Sequence, residues 1–135
     1  MTTTTGVDQG KMRNLAISAA SHAYSPYSKV KVGCAIFANN QYFSGCNVEN
    51  CSYGATICAE RVAIAHGVSQ GVRKIDAVYV YTLQGWTPCG ICRQVIAEFA
   101  TEQTLIIIGD EHSTLATHTV ESILPLAFLP LDLKT

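Results

Sequence analysis

Apolar residues in the first part of the chain recur with the period of a helix. Over residues 8–23 they fall at every third or fourth position, which predicts an amphipathic helix: Met12, Leu15, Ala16, Ala19 and Ala20. Asp8 is suited to cap this helix, because its side chain can accept a hydrogen bond from a free backbone N–H of the first turn. We expect the helix to end before the turn sequence SPYS at residues 25–28, since Pro26 disfavours helical backbone at the residue before it.

Two stretches with strand character follow this helix. Residues 31–38 and residues 41–46 are joined by the pair Asn39 and Asn40. Asparagine tolerates the left-handed backbone conformation that tight hairpin turns require. The pattern therefore predicts two adjacent antiparallel strands.

Helices and strands alternate in the second half of the chain. Residues 58–66, CAERVAIAH, are rich in helix-forming types, and Gly67 is predicted to end this helix. Residues 75–82 are β-branched and aromatic, which predicts a mostly buried strand. A helix over residues 89–99 and an apolar strand over residues 105–108 come next. This order favours parallel crossover connections with helices packed on a sheet.

The C-terminal sequence LPLAFLPLDL, residues 124–133, is strongly apolar. Pro125 and Pro130 exclude a regular helix or a central strand here, because proline has no backbone N–H to donate. We expect an irregular segment that lies over the core or forms part of an interface. Apolar surface that so small a protein cannot bury favours an oligomer.

Length and composition limit the fold and the ligand. A chain of 135 residues has the size of one domain, so we expect a single domain over residues 1–135. With 14% charged residues and a formal net charge of -1, the chain lacks the basic surface of a nucleic-acid-binding protein, and we expect a small, weakly charged ligand. No apolar run approaches the roughly 20 residues that span a membrane, and the N-terminal MTTTTG lacks the features of a secretory signal. We therefore expect a cytoplasmic protein without a membrane partner.

Six cysteines are the most informative part of the composition. Thiols stay reduced in the cytoplasm, so their number indicates a metal site or catalysis rather than disulfide bonds. Cys89 and Cys92 have the spacing with which two thiolates bind one zinc ion, and Pro88 suits the start of a helix. Cys58 also stands at a predicted helix start, where the helix dipole favours a thiolate. Two such helix starts at one edge of a sheet could bring three sulfurs to one ion.

Other interpretations of these cysteines stay open at this point. Cys89 and Cys92 alone could form a redox dithiol, a structural zinc knuckle or two unrelated core thiols. A structural zinc site takes four protein ligands, whereas a catalytic site takes three and leaves one position for water. Three further cysteines are candidates for a fourth ligand, although small buried core residues are the simpler interpretation of each: Cys34, Cys46 and Cys51.

Glu60 and Arg61 stand two and three positions after Cys58. A carboxylate beside a catalytic metal can move protons, and a guanidinium that hydrogen-bonds a sulfur offsets the negative charge of three thiolates on a divalent ion. The alternatives are an acidic residue favoured by the helix dipole in the first turn and a solvated surface arginine. The combination predicts a hydrolytic zinc centre in which Glu60 transfers protons.

These motifs together resemble the zinc-dependent cytidine deaminases, in their small homotetrameric branch. The resemblance covers nearly the whole chain and rests on five motifs: YSPYS at 24–28, GCNVEN at 45–50, CAER at 58–61, PCGICRQ at 88–94 and LPLAF at 124–128. It implies an α/β fold, a three-layer α/β/α sandwich around a mixed sheet of about five strands. It also implies one zinc ion per chain and a homotetramer whose active sites are completed by neighbouring subunits.

The resemblance assigns the metal site residue by residue. Cys58, Cys89 and Cys92 would be the zinc ligands, Glu60 the proton shuttle and Arg61 the partner that balances the charge of the sulfurs. The implied reaction converts cytidine and 2'-deoxycytidine to uridine and 2'-deoxyuridine with release of ammonia, as in pyrimidine salvage.

The resemblance also assigns the substrate pocket. Asn47 and Glu49 would hold the sugar hydroxyls, while Tyr53 and Phe128 correspond to positions that reach or cover a pocket of a nearby subunit. Val30 departs from the family, which often has an aromatic residue there beside the base. Cysteine rather than histidine at position 58 favours a free nucleoside over a nucleotide or a nucleic acid. A deaminase of another aminopyrimidine or of a nucleoside-like antibiotic stays an alternative, as does a non-catalytic zinc or thiol module.

Overall fold

A five-stranded mixed sheet forms the centre of the protein, in the strand order β2-β1-β3-β4-β5. The structure is a computed structural model that describes residues 6–133. The strands are β1 Gly33–Ala38, β2 Gln41–Cys46, β3 Ile75–Tyr81, β4 Ala100–Gly109 and β5 Thr114–His118. The α-helices are α1 Gln9–Ala20, α2 Ala59–Ser69, α3 Gly90–Phe99 and α4 Val120–Ile123, and 3-10 turns cover Tyr53–Ala55 and Pro130–Leu133.

Strands β1 and β2 form the predicted antiparallel hairpin, with Ala38 opposite Gln41. Asn39 and Asn40 make its turn with φ angles of 52° and 59°. Both values lie in the left-handed region that asparagine tolerates better than most residues. The asparagine pair therefore fixes the register of the two strands.

Strands β3 and β4 are parallel, and α3 is the crossover between them. The other neighbouring strands of the sheet are antiparallel. The carboxyl end of β3 is thus followed by a loop and the N-terminus of α3, and this end of the sheet carries the cysteine pair. The prediction of a mixed sheet with a helical crossover is confirmed.

Alternate residues of β1 face two different hydrophobic cores. Ala35 and Phe37 pack in the core that includes Met12 and Ala16 of α1. Cys34 and its neighbours at alternate positions pack in the core formed with α2, α3 and α4. Helices on both faces of the sheet give the predicted three-layer α/β/α sandwich.

Helix α1 lies unusually close to β1. A Cβ atom at Gly33 would come within 1.8 Å of the carbonyl oxygen of Ala16, so only glycine allows this contact. Asp8 caps α1 as predicted, because its carboxylate accepts a hydrogen bond of 3.0 Å from the backbone N–H of Lys11. The helix ends at Ala20, three residues earlier than the pattern indicated.

The prediction that Gly67 ends the second helix is wrong. Helix α2 continues to Ser69, and the chain turns at Gly71 with a φ of 100°. Gly67 is buried, and a Cβ there would lie 2.8 Å from the Cδ1 atom of Ile36. The glycine permits close packing of α2 on β1, a tertiary requirement that looks like a helix stop in the sequence.

Two elements lie outside the sequence prediction, namely β5 and α4. Strand β4 is also longer than predicted, because its first half is polar and mostly exposed. The C-terminal segment is irregular apart from the turn Pro130–Leu133, as its two prolines indicated. None of the helices in residues 6–133 has the length and apolar character needed to span a membrane.

Candidate active site

Helices α2 and α3 begin side by side at the edge of the sheet, and each begins with a cysteine. Cys58 and Cys89 are the N-cap residues, both with extended backbone, and neither thiol caps its own helix. Their sulfurs are therefore free to face each other and the buried Cys92 in the first turn of α3. Two helix N-termini also place partial positive charge next to these sulfurs, which favours thiolates.

The three cysteines predicted as ligands converge on one point. The Sγ atoms of Cys58, Cys89 and Cys92 all lie within 4.8 Å of one another, and those of Cys58 and Cys89 are 3.9 Å apart. Tetrahedral zinc with Zn–S bonds of about 2.3 Å requires sulfurs about 3.8 Å apart. The three soft donors fit zinc with small side-chain movements. In the part of the chain that the structure describes, the cluster includes neither Cys34, Cys46 nor Cys51.

Proton sharing among the sulfurs indicates how the cluster carries its charge. The pKa of Cys58 is lowered to about 5, mainly because the thiol of Cys92 donates a hydrogen bond to its sulfur, with Arg61 contributing. The pKa of Cys92 is raised for the same reason, since that donor must keep its proton. Cys58 therefore forms a thiolate easily, whereas Cys92 keeps its proton as the donor of this hydrogen bond.

Arg61 lies directly against the sulfurs. Its Nη2 atom donates a hydrogen bond of 3.5 Å to Cys58 Sγ, and the sulfurs raise the pKa of the guanidinium. Within residues 6–133, the buried Nε atom of Arg61 has no hydrogen-bond partner. The interpretation of Arg61 as a solvated surface residue does not agree with this position.

Glu60 is buried beside the cysteine cluster, with 4% of its surface exposed. Burial raises the pKa of its carboxyl group to about 7, and the negative charge of Cys58 acts in the same direction. Burial raises the pKa of the Cys34 thiol in β1, and the negative charge of Glu60 raises it further. A carboxyl group that titrates near neutral pH can both accept and release a proton.

Asn47 and Glu49 lie in the chain that follows β2, and both bind the segment 27–32. The side chain of Asn47 accepts from the Val32 N–H at 2.8 Å and donates to the Val30 carbonyl at 2.8 Å. The carboxylate of Glu49 accepts from the backbone N–H groups of Tyr27 and Ser28. Both predicted sugar-binding residues are thus held in fixed orientations by this loop.

Tyr53 and Phe128, the two aromatic residues predicted to reach or cover a pocket, are largely exposed. Tyr53 is 76% exposed and meets the ring of Tyr27 edge-on at 5.8 Å between centroids. Phe128 is 59% exposed, and its carbonyl accepts a hydrogen bond from Gln94 of α3. Among the described ring contacts, neither ring meets one of the three cysteines.

Comparison with known proteins agrees with this geometry. Residues 7–108 match the family model described as the cytidine and deoxycytidylate deaminase zinc-binding region. The chain belongs to this family.

Similar proteins cover most of the chain. Cytidine deaminase of Mycoplasma pneumoniae is 46% identical over 108 residues, 77% of this chain and 81% of that protein. Cytidine deaminase of Halalkalibacterium halodurans is 38% identical over 131 residues, 95% and 99% of the two chains. The crystal structure of cytidine deaminase from Burkholderia pseudomallei has a TM-score of 0.86 at 34% identity and covers 90% of this chain and all 100% of that one.

Membership in this zinc-binding deaminase family agrees with the donor set of the site. The family metal is zinc, and three convergent thiols are the donors that zinc prefers in such centres. The interpretation of the cysteines as a redox dithiol or a non-catalytic module is therefore set aside. The chain is a zinc-dependent hydrolytic deaminase, and its fold is that of the cytidine deaminases.

Two residues that contact a predicted site residue or the loop before Cys89 were not identified from the sequence. Arg93 donates to the Pro88 carbonyl at 2.8 Å and to the Ile123 carbonyl at 2.8 Å, so it joins the loop before Cys89 to the end of α4. Ser28 donates its hydroxyl hydrogen bond to Glu49. Their position inside the quoted motifs was the available signal, but the partners are distant in sequence and appear only in the fold.

Proposed function

We propose that this chain hydrolyses cytidine and 2'-deoxycytidine to uridine and 2'-deoxyuridine and releases ammonia. The observation that carries the proposal is the buried Glu60, two positions after Cys58, whose sulfur converges with those of two other cysteines. Three thiols leave one position of a tetrahedral centre for water, and an adjacent carboxyl group supplies the proton transfer that hydrolysis of an amine requires.

The residues of the site have separate roles in this reaction. When bound, zinc acts as a Lewis acid and lowers the pKa of water to about 7. Cys58, Cys89 and Cys92 hold the ion, and Arg61 offsets the negative charge of their sulfurs. Glu60 takes one proton from the attacking water and delivers it to N3 of the cytosine ring. It then takes the remaining proton of the hydroxyl group added at C4 and delivers it to the departing amino group, which leaves as ammonia.

The chemistry of Glu60 follows from its burial. A carboxyl group in water is ionised at neutral pH and has no proton to donate. Burial raises the pKa of Glu60 to about 7, so that its protonated form is also present. At this value the proton passes in either direction with little free-energy cost. The same group can therefore act as base early in the reaction and as acid later.

Asn47 and Glu49 are proposed to bind the sugar hydroxyls of the substrate. Their support is chemical, since an amide and a carboxylate together both donate to and accept from a hydroxyl group. A free nucleoside agrees with the net charge of -1 and with cysteine at position 58. We place the protein in pyrimidine salvage in the cytoplasm, as a single domain over residues 1–135.

We further propose a homotetramer in which Tyr53 and Phe128 contribute to the pockets of neighbouring subunits. Exposed apolar side chains concentrate in the C-terminal segment, where Leu126 and Leu131 are 104% and 72% exposed. Such surface is costly in water and stabilises contacts between chains. Sedimentation analysis is expected to give four times the chain mass of 14.5 kDa; a monomer at micromolar concentration would contradict the tetramer.

A substrate comparison tests the proposed reaction. Loss of ultraviolet absorbance is expected with cytidine and deoxycytidine, and turnover of free cytosine and cytidine monophosphate should be at least about 100-fold slower, because the sugar contacts are lost or a charged group must be accommodated. Incubation with a zinc chelator should abolish turnover, and added zinc should restore it. Faster reaction with another aminopyrimidine, or with a nucleoside-like antibiotic, would favour the alternative substrate class.

A further inference from the structure

The segment 27–32 is held in place by two side chains from the chain that follows β2. Glu49 Oε1 accepts hydrogen bonds from the Tyr27 and Ser28 N–H groups at 3.0 and 3.1 Å. Asn47 binds the Val30 carbonyl and the Val32 N–H. Lys29, between these contacts, has a φ of 65° in the left-handed region that lysine rarely adopts. Since this conformation is unfavourable by itself, the side-chain hydrogen bonds must maintain it.

Ser28 is the only residue of this segment whose side chain contacts Glu49 among the described hydrogen bonds. Its hydroxyl donates to Glu49 Oε2 and accepts from the Val30 N–H at 3.1 Å. A serine hydroxyl has one hydrogen, and the Val30 contact orients it so that this hydrogen is given to Glu49. The hydrogen bond from the Ser28 hydroxyl is also the largest influence that lowers the pKa of Glu49.

The side chains of Glu49 and Asn47 have hydrogen-bonding positions that the contacts with the segment 27–32 do not use. A carboxylate has about four acceptor positions, and the described contacts use two on Oε1 and one on Oε2 of Glu49. The amide of Asn47 has used one acceptor position and one of its two N–H donors. Among the described contacts, one acceptor position on Glu49 Oε2, one on Asn47 Oδ1 and one donor on Asn47 Nδ2 are left, and a single hydroxyl group can donate to Oε2 and accept from Nδ2.

We propose that Ser28 is a positioning residue that fixes Glu49 Oε2 to accept the 3'-hydroxyl of the nucleoside sugar, and so sets the preference for substrates that carry this group. The inference rests on the proposed function and extends it to a residue that acts through Glu49. Without the serine hydroxyl, Oε2 loses the donor that orients it, while Oε1 stays bound by two backbone N–H groups. The carboxylate then turns about these two contacts and meets the sugar hydroxyl less favourably.

The test compares deoxycytidine with dideoxycytidine, which lacks the 3'-hydroxyl. In Ser28→Ala, the ratio of kcat/KM for deoxycytidine to that for dideoxycytidine is expected to fall about tenfold, mainly through KM for deoxycytidine. Ser28→Thr keeps a hydroxyl group and should retain the parent ratio within about twofold. Ser69→Ala is the matched control, because Ser69 also donates its hydroxyl at 2.6 Å, to the His66 carbonyl, away from Glu49.

The outcomes separate this inference from the proposed function. A general disturbance of the segment 27–32 would lower turnover of both nucleosides and leave the ratio unchanged, which would overturn a positioning role for Ser28. Equal loss of the ratio in Ser28→Ala and Ser28→Thr would overturn it as well. If the parent chain turns over neither nucleoside, the proposed function fails and the inference falls with it.

Discussion

Glu60→Gln is expected to lower kcat for cytidine by about 1,000-fold, within the usual range for loss of a general acid and base. The amide of glutamine has nearly the shape of the carboxyl group but cannot transfer a proton. Because a neutral amide is less costly to bury than a carboxylate, the variant should fold and retain its zinc. Steady-state kinetics, zinc content by atomic emission and the circular dichroism spectrum measure the three quantities.

The control for this substitution is Glu98→Gln, at an exposed position of the neighbouring helix α3. It makes the same chemical substitution at an exposed position without altering the buried site, so its kcat should match that of the parent within about twofold. Turnover of cytidine by Glu60→Gln at the parent rate would show that Glu60 is not the proton shuttle.

Cys58→Ala is expected to remove the zinc ion and, with it, all measurable turnover. Two remaining thiols cannot complete a three-sulfur site, and the Arg61 guanidinium would then lie beside a site that has lost its nearest sulfur. The purified variant should contain less than about 0.1 zinc ion per chain, against about one in the parent, and should release zinc rapidly to a colorimetric chelator.

Cys51→Ala provides the matched comparison for the zinc ligand. Cys51 is an exposed free cysteine in the same part of the chain, outside the sulfur cluster of the described residues. Its loss should leave both zinc content and turnover unchanged. Full zinc occupancy in Cys58→Ala would exclude Cys58 as a ligand.

The motifs that contain the cysteines and Glu60 could be located from the sequence, because their signals involve residues close together in the chain. A cysteine at a helix start, followed by Glu60, is a short-range pattern, and the structure places Cys58 and Cys89 as the N-caps of two helices. The parallel crossover through α3 followed from the order of elements. The convergence of three sulfurs then required only that both helices start at one edge of the sheet.

Features that depend on distant contacts were not predictable in this way. Gly67 has the composition of a helix end, yet its role is to let α2 approach Ile36 of β1. The five exposed or half-buried residues of β5 lack a clear strand pattern and are ordered by pairing with β4. Ser28 has no sequence signal that connects it to Glu49, 21 positions further along the chain.

The segment 27–32 is anchored partly through the backbone of Val30, so the side chain of this residue can be replaced. The N–H and carbonyl of Val30 bind Ser28 and Asn47, whereas its side chain lines a cavity of about 350 Å³ together with Tyr81. Any L-residue except proline supplies the same backbone groups, so an aromatic ring can replace this valine while the anchoring hydrogen bonds persist. Position 30 is therefore a place where the lining of this cavity can change while the hydrogen bonds that anchor the segment 27–32 stay the same.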